Sequence, residues 1–317
     1  GDMHCMYQLN NSNRDSIISR LKILARLKID ENRKPQDGQI VYKYNNSDID
    51  MRVSSFPILY WEKVVIRVLQ KDTSLLDINS LWLFAFNRDL VNKALTLKEW
   101  LILVSWPTGS WKTTTLYGMM NSFDPTQFNI STLEDPVEYR LDGINQSQVN
   151  PDIGYDFSSW LRTLLRQDPD IILVWEIRDS ETAKLAVEAS LTWHLVLGTI
   201  HANRWLWVVE RLVNMGIEPY LLASSLKLVL SQRLVKKICS CSESKQIEES
   251  EEKLFKEWLW EIWDWVKKDA NLKKSKWCDK CMWTWYKWRI AVHEVIYFDQ
   301  EFSKWIVWDH DKADRKS

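Results

Sequence analysis

Leu101-Ile-Leu-Val-Ser105-Trp106-Pro-Thr-Gly109-Ser-Trp111-Lys112-Thr113-Thr114 decides the fold of this chain. An apolar run of strand length meets the turn formers Pro107, Thr108, Gly109 and Ser110, and a helical pattern opens at Lys112. Strand, loop and helix in that order are the setting of a P-loop, G-x-x-x-x-G-K-[ST]. Such a loop holds phosphate with backbone N–H groups, a helix N-terminus and a lysine. On that reading Trp106, Pro107, Thr108, Gly109, Ser110, Trp111, Lys112, Thr113 and Thr114 form the nucleotide-binding set. Lys112 meets the β- and γ-phosphates and Thr113 ligates Mg²⁺. Both flanking glycines of the pattern are tryptophans, however, and the segment alone fits an ordinary strand-to-helix turn equally well.

The residues downstream decide between these. Apolar strands at 128–134, 170–174 and 194–200 alternate with amphipathic helices at 112–122, 157–166 and 180–191, and further helices at 208–214 and 220–230 close the unit. Buried strands separated by helices predict an α/β fold with a parallel-rich central sheet covered on both faces. Each strand ends in polar residues: Glu134-Asp135-Pro136-Val137-Glu138, then Glu176-Ile177-Arg178-Asp179, then His201-Ala202-Asn203. In an open parallel sheet the ligand lies at the carboxyl ends of the strands. A carboxylate after a buried strand is also where an NTPase holds Mg²⁺ and the attacking water. One such carboxylate is often a helix cap; four polar clusters in order on one edge are not.

Upstream, Ile17, Ile18, Leu21, Leu24 and Ala25 recur at helical spacing within 14–28, and Pro35 and Gly38 end that element. Partly alternating stretches at 39–44, 48–56 and 62–69 read as half-buried antiparallel strands. The expected organisation is a small α+β domain over 1–88 and an α/β domain over 89–317, with a cysteine-bounded insertion at 239–281. Cys239-x-Cys241 and Cys278-x-x-Cys281 supply the four thiolates of a tetrahedral structural Zn²⁺ site, the first pair one residue short of the usual spacing. Cys5 has no evident partner.

Composition excludes several classes. The net charge of -1 gives no polyanion-binding surface, so nucleic acid is not an expected partner. No apolar run reaches the ~18 residues of a membrane span, and no leader is visible, which makes the cytoplasm the default compartment. The first residues already read as mid-domain, as in a fragment. The tryptophan count is abnormal: 20 Trp against 8 Gly.

The segments PTGS-K-TTTLY, EDPVEY, LRQDPDIILV-EIRD, HLVLGTIHAN and SQRLVKKIC resemble, in that order, the Walker A, Asp box, Walker B, His box and cysteine-bearing segments of the type II secretion and type IV pilus assembly ATPases. KPQDGQI, DIDMRVSSFP and EKVVIRVL resemble the domain that precedes them. The resemblance implies a PAS-like domain followed by a RecA-like P-loop NTPase domain with a tetracysteine zinc module. It further implies a homo-hexamer that hydrolyses ATP with Mg²⁺ at the inner face of the cell membrane, against an inner-membrane platform protein. By position Glu176 matches the catalytic glutamate, Glu134 and Glu138 the Asp box, and His201 the His box. Arg52 and Arg67 match arginines that reach the nucleotide at an interface, while Gln39 replaces an arginine. The alternatives are a retraction or DNA-uptake ATPase on the same fold, of which the cysteines disfavour retraction, or an inert ring subunit. The family has glycine where this chain has Trp61, Trp106, Trp111, Trp175, Trp193, Trp283, Trp285 and Trp288. Phosphate-loop glycines permit close backbone approach and φ > 0, which an indole obstructs. The reading that explains both facts is a gene in which UGA encodes glycine, rendered with the standard code.

Overall fold

The computed structural model describes residues 5–44, 47–69, 78, 83–105, 112–138, 140–150, 153–202, 204–244, 248–259, 273–274, 278 and 286–314. Trp106, Pro107, Thr108, Gly109, Ser110, Trp111 and Cys281 lie outside these residues, and Lys112 is described by its backbone alone. The chain divides into two compact units, 1–73 and 74–317.

In the first unit, helix α1 (Arg14–Leu24) precedes three antiparallel strands, β1 (Gln36–Tyr44), β2 (Ser47–Pro57) and β3 (Glu62–Leu69). The helix stops four residues before the expected end at Lys28, because Arg26 turns into the left-handed region at φ 58°. The core is small: Ala25, Ile40 and Val53, flanked by Leu27, Met51 and Val64. Gly38 lets β1 approach the end of α1. A Cβ there would sit 2.4 Å from the Ala25 carbonyl oxygen. Charge supplements this core, since Lys22 of α1 is buried and pairs with buried Glu62 of β3 at 2.6 Å.

The second unit is built on a seven-stranded sheet. Helix α2 (Ala85–Leu95) leads into β4 (Trp100–Ser105) and α3 (Lys112–Met120). Then come β5 (Ile130–Glu134), β6 (Asn145–Gln148), α4 (Phe157–Leu164), β7 (Ile171–Val174), α5 (Ser180–Ser190) and β8 (Leu195–Ile200). Helices α6 (Trp205–Asn214) and α7 (Pro219–Ser225) follow, and then β9 (Leu226–Ile238). The short strands β10 (Glu243–Ser244) and β11 (Lys273–Lys274) pair with each other. Helix α8 (Glu249–Leu259), strand β12 (Tyr286–Tyr297) and helix α9 (Gln300–Asp314) complete the described elements.

The strand order is β12-β9-β4-β8-β7-β5-β6, with every pairing parallel except that of edge strand β12 on β9. The α/β class and parallel-rich sheet follow from the two-sided burial of these strands. Leu101 and Leu103 face one hydrophobic layer, Ile102 and Val104 the other. Ile172 and Val174 likewise oppose Ile171 and Leu173. Helices cover both layers, so β4, β5, β7 and β8 are buried on both faces.

One element differs in kind from expectation. The run Leu226–Leu230 is not the last part of a helix; it is the start of β9, which lies parallel to β4. A short apolar run does not distinguish a buried strand from a buried helix, and here the vacant edge of β4 settles it. Four non-glycine residues among those described have positive φ, and two are tryptophans: Trp100 at 135° and Trp193 at 68°.

Candidate active site

The carboxyl edge of the sheet collects the polar strand ends. Leu133 and Val174 are register partners, as are Val174 and Gly198, so the residues after them arrive side by side. Backbone bonds from Trp175 N to Leu133 O (2.9 Å) and from Ile177 N to Thr199 O (2.8 Å) carry the pairing past the strand ends. The Thr199 hydroxyl donates to the Trp175 carbonyl in the same layer.

Glu176 sits at the centre of this edge, 3% exposed. Its Oε2 accepts from Arg178 at 2.5 Å, and its Oε1 lies 3.1 Å from His201 Nε2. The carboxylate plane is thereby fixed from both ends. Arg178 is more than half exposed and feels Asp135 as well as Glu176. The backbone of His201 is held in turn, because Arg211 of α6 donates to its carbonyl at 3.0 Å. The structure thus joins Glu176 and His201, two residues expected to act together. Arg178 and Arg211 complete the arrangement. Neither was marked by spacing, since arginines next to a strand end are commonplace; only the fold shows where their side chains reach.

Glu134 ends β5 with no exposed surface. Thr132 Oγ1 donates to its Oε1 at 2.6 Å and Gln146 Nε2 at 3.0 Å, and the Tyr117 hydroxyl donates to its Oε2. Burial pushes its carboxyl above the ordinary value, against the opposing pull of these donors. Glu138, on the loop beyond, is half-buried and adds a like charge.

Helix α3 begins at Lys112, and β4 ends at Ser105. Thr113 and Thr114 occupy its first turn, half-buried, where a helix N-terminus presents unpaired N–H groups. At the end of that turn the buried Thr115 hydroxyl donates to Gln232 of β9 at 2.6 Å, and in the sheet Ser105 of β4 meets Ser231 of β9 at 2.8 Å. The first of these contacts seats the helix against β9.

In the first unit, the register aligns Gln39, Arg52 and Arg67 directly across β1, β2 and β3. Direct cross-strand partners share a sheet face, so both arginines expected to read an anion stand together on one surface.

The sulfurs of Cys239, Cys241 and Cys278 lie within 4.8 Å of one another, and Cys239 Sγ is 3.7 Å from Cys278 Sγ. Thiolates around a tetrahedral Zn²⁺ at about 2.3 Å per bond stand about 3.8 Å apart. The three thiols fit that ion, with the C-x-C spacing accommodated by the turn at Ser240 and Cys241.

A mostly parallel sheet, a helix that follows strand β4 and acidic and basic side chains lined along its carboxyl edge define an α/β fold of the RecA-like P-loop type. The chain belongs to the type II/IV secretion system protein family, whose family model matches residues 1–316. It is 42% identical over 292 residues to the type II secretion system ATPase E of Vibrio cholerae, covering 92% of this chain and 56% of that protein. It is also 42% identical over 296 residues to the type IV pilus assembly ATPase PilB of Myxococcus xanthus, covering 90% and 50%. The chain therefore spans about half the length of these curated relatives. Among solved structures its fold resembles that of the pilus retraction motor PilT with bound ADP (TM-score 0.62, 22% identity, 97% of this chain and 73% of that one). It also resembles the ATPase DotB of Legionella pneumophila (TM-score 0.65, 18% identity, 98% and 78%). Among the described residues no helix is long and apolar enough to cross a membrane.

Proposed function

We propose that this chain is the ATP-hydrolysing subunit of a homo-hexameric motor that drives type II secretion or type IV pilus assembly. The observation that carries the proposal is the fixed carboxylate of Glu176, buried at the sheet edge between His201 and Arg178 and one strand away from the β4–α3 loop. A carboxylate so placed accepts a proton from water attacking a bound phosphate. His201 Nε2 and Arg178 hold it in one orientation. Lys112 neutralises phosphate charge in the ground and transition states alike, and Thr113 and Thr114 offer hydroxyls at the same helix end. Mg²⁺ would be held by Thr113 and would supply charge neutralisation at the phosphates. Glu134 and Glu138 form the acidic flank of the site. Arg52 and Arg67 complete it from a neighbouring interface of the ring.

The remaining assignments belong to the same proposal. A structural Zn²⁺ is bound by Cys239, Cys241, Cys278 and Cys281. The ring works in the cytoplasm at the inner face of the membrane, against a platform protein, and nucleic acid is no partner. The cysteine module favours assembly or secretion over retraction.

Trp106 and Trp111 favour a second reading, an inert ring subunit. We infer instead that these positions are glycine in the natural protein. Trp100 and Trp193 support this inference, because both occupy φ values that L side chains avoid and glycine adopts freely.

Steady-state ATP hydrolysis by the 317-residue chain and by its Trp106→Gly/Trp111→Gly form tests the function. The glycine form is expected to hydrolyse ATP, and Glu176→Gln in that form to retain nucleotide binding while losing turnover by about 10²-fold or more. Wild-type turnover in Glu176→Gln would remove Glu176 from the chemistry.

A further inference from the structure

The buried network around Glu134 has a geometry unlike that of a water-activating carboxylate. Its two oxygens take three donors from three elements: Thr132 on its own strand β5, Gln146 on β6 and Tyr117 on α3. Gln146 Nε2 also reaches the Tyr117 hydroxyl at 3.4 Å, while its Oε1 accepts from the backbone N–H of Leu141 at 2.7 Å. The loop that leaves β5 and returns to β6 is therefore tied to the same carboxylate. Neither Glu134 nor Tyr117 has any exposed surface.

Tyr117 is the residue that gives this network a consequence for catalysis. It lies one helical turn beyond Thr113, on the same side of α3. Its ring packs against Trp175, the residue before Glu176, with ring centroids 6.1 Å apart. One side chain thus ties the helix that carries Lys112 and Thr113 to the end of β5 through Glu134; the ring contact with Trp175 adds to this only where tryptophan stands at 175.

We propose that Tyr117 and Glu134 are a positioning pair, which sets the phosphate-binding helix against the acidic end of β5, and that Glu134 does not itself act on water. This rests on the ATPase reading given above. Glu134 performs the task as an acceptor only. Three donors converge on its two oxygens, which favours the ionised carboxylate over one that carries a proton. Burial and the Glu138 charge both favour that proton, while Tyr117, Thr132 and Gln146 oppose it. Tyr117 therefore favours the charge as well as the alignment.

The test is a double-mutant cycle in the full 317-residue chain carrying glycine at 106 and 111, with Tyr117→Phe, Glu134→Gln, Glu134→Ala and the Tyr117→Phe/Glu134→Ala pair. Loss of one hydrogen bond to a charged group should lower kcat about tenfold in Tyr117→Phe, with KM for ATP unchanged and the acid limb of the kcat–pH profile moved to higher pH. The pair should be no worse than Glu134→Ala alone, and Glu134→Gln, which keeps one acceptor, should recover much of the turnover lost in Glu134→Ala. The proposal is overturned if Glu134→Gln is as inactive as Glu134→Ala, down by more than about 100-fold, while Tyr117→Phe works normally. Glu134 would then be a base. Multiplicative effects in the cycle also overturn it. Urea denaturation of the same variants measures the Tyr117–Glu134 coupling without turnover. A parent chain that hydrolyses no ATP refutes the motor reading, whereas absence of coupling in urea refutes the pairing.

Discussion

Replacing Lys22 by methionine tests how the first unit holds together. Its ammonium is 2.6 Å from Glu62 Oε2 and also donates to the Glu31 carbonyl at 2.9 Å and to Asn32 Oδ1 at 2.7 Å. The side chains of Lys22 and Glu62 are 2% and 7% exposed. Glu62 Oε1 is buried with no hydrogen-bond partner among the described residues, so the whole carboxylate depends on Lys22. Methionine fills the space of the alkyl stem but leaves a buried charge uncompensated, which costs about 3–5 kcal/mol. A unit of this size has about 4–11 kcal/mol of stability in total, so the loss is a large part of it. Hydrogen exchange of the β1–β3 amides is the assay. At 1.4 kcal/mol per factor of ten, exchange through opening of the unit should speed up by roughly 100-fold or more. Lys22→Met/Glu62→Leu removes both charges and should restore most of the protection, because an apolar replacement of a buried pair is often neutral. Exchange less than about threefold faster in Lys22→Met, or a double variant as labile as the single one, would refute the reasoning.

Three further outcomes are expected. Metal analysis should give about one zinc per chain, and Cys278→Ser should abolish it and loosen the segment around β10 and β11; a metal-free chain of unchanged thermal stability would dismiss the site. In the glycine-restored form, Arg52→Ala should leave ATP binding by isolated subunits intact and depress turnover only where subunits associate; equal turnover at every protein concentration would remove Arg52 from the interface. In the gene, the codons of Trp100, Trp106, Trp111, Trp175 and Trp193 should be UGA, and UGG at Trp106 and Trp111 would return the inert-subunit reading to the front.

The alternation of apolar strands with helices was legible from the sequence because both faces of the sheet are buried. Runs such as Ile171–Val174 then need no polar alternation to mark them. The strand-end carboxylates were legible for a related reason, as a charge directly after such a run has few roles. What stayed hidden depends on register or on the reach of long side chains. The alignment of Gln39, Arg52 and Arg67 exists only once β1, β2 and β3 are paired, and a one-residue slip would separate the faces. The hold of Arg178 on Glu176, and of Arg211 on the His201 backbone, joins residues that periodicity cannot connect. Trp100 escaped attention because it precedes a strand and carries no motif, whereas its φ of 135° is a property of the folded backbone.

Strand β9 joins two places that the chemistry treats separately. It is buried up to Gln232, the partner of Thr115 on the phosphate-binding helix, and mostly exposed from Arg233 to Ile238. Beyond Gln232 it continues as a ribbon with β12, register-paired through Arg289 and Tyr286, and ends beside Cys239. Seven residues at about 3.3 Å each make this a lever of roughly 23 Å. A tilt of about 10° at Gln232 sweeps the cysteine tip through about 4 Å over that length. Small adjustments of α3 against the sheet would thus reach the cysteine end enlarged, across a ribbon whose register shifts between Arg289 and Tyr286.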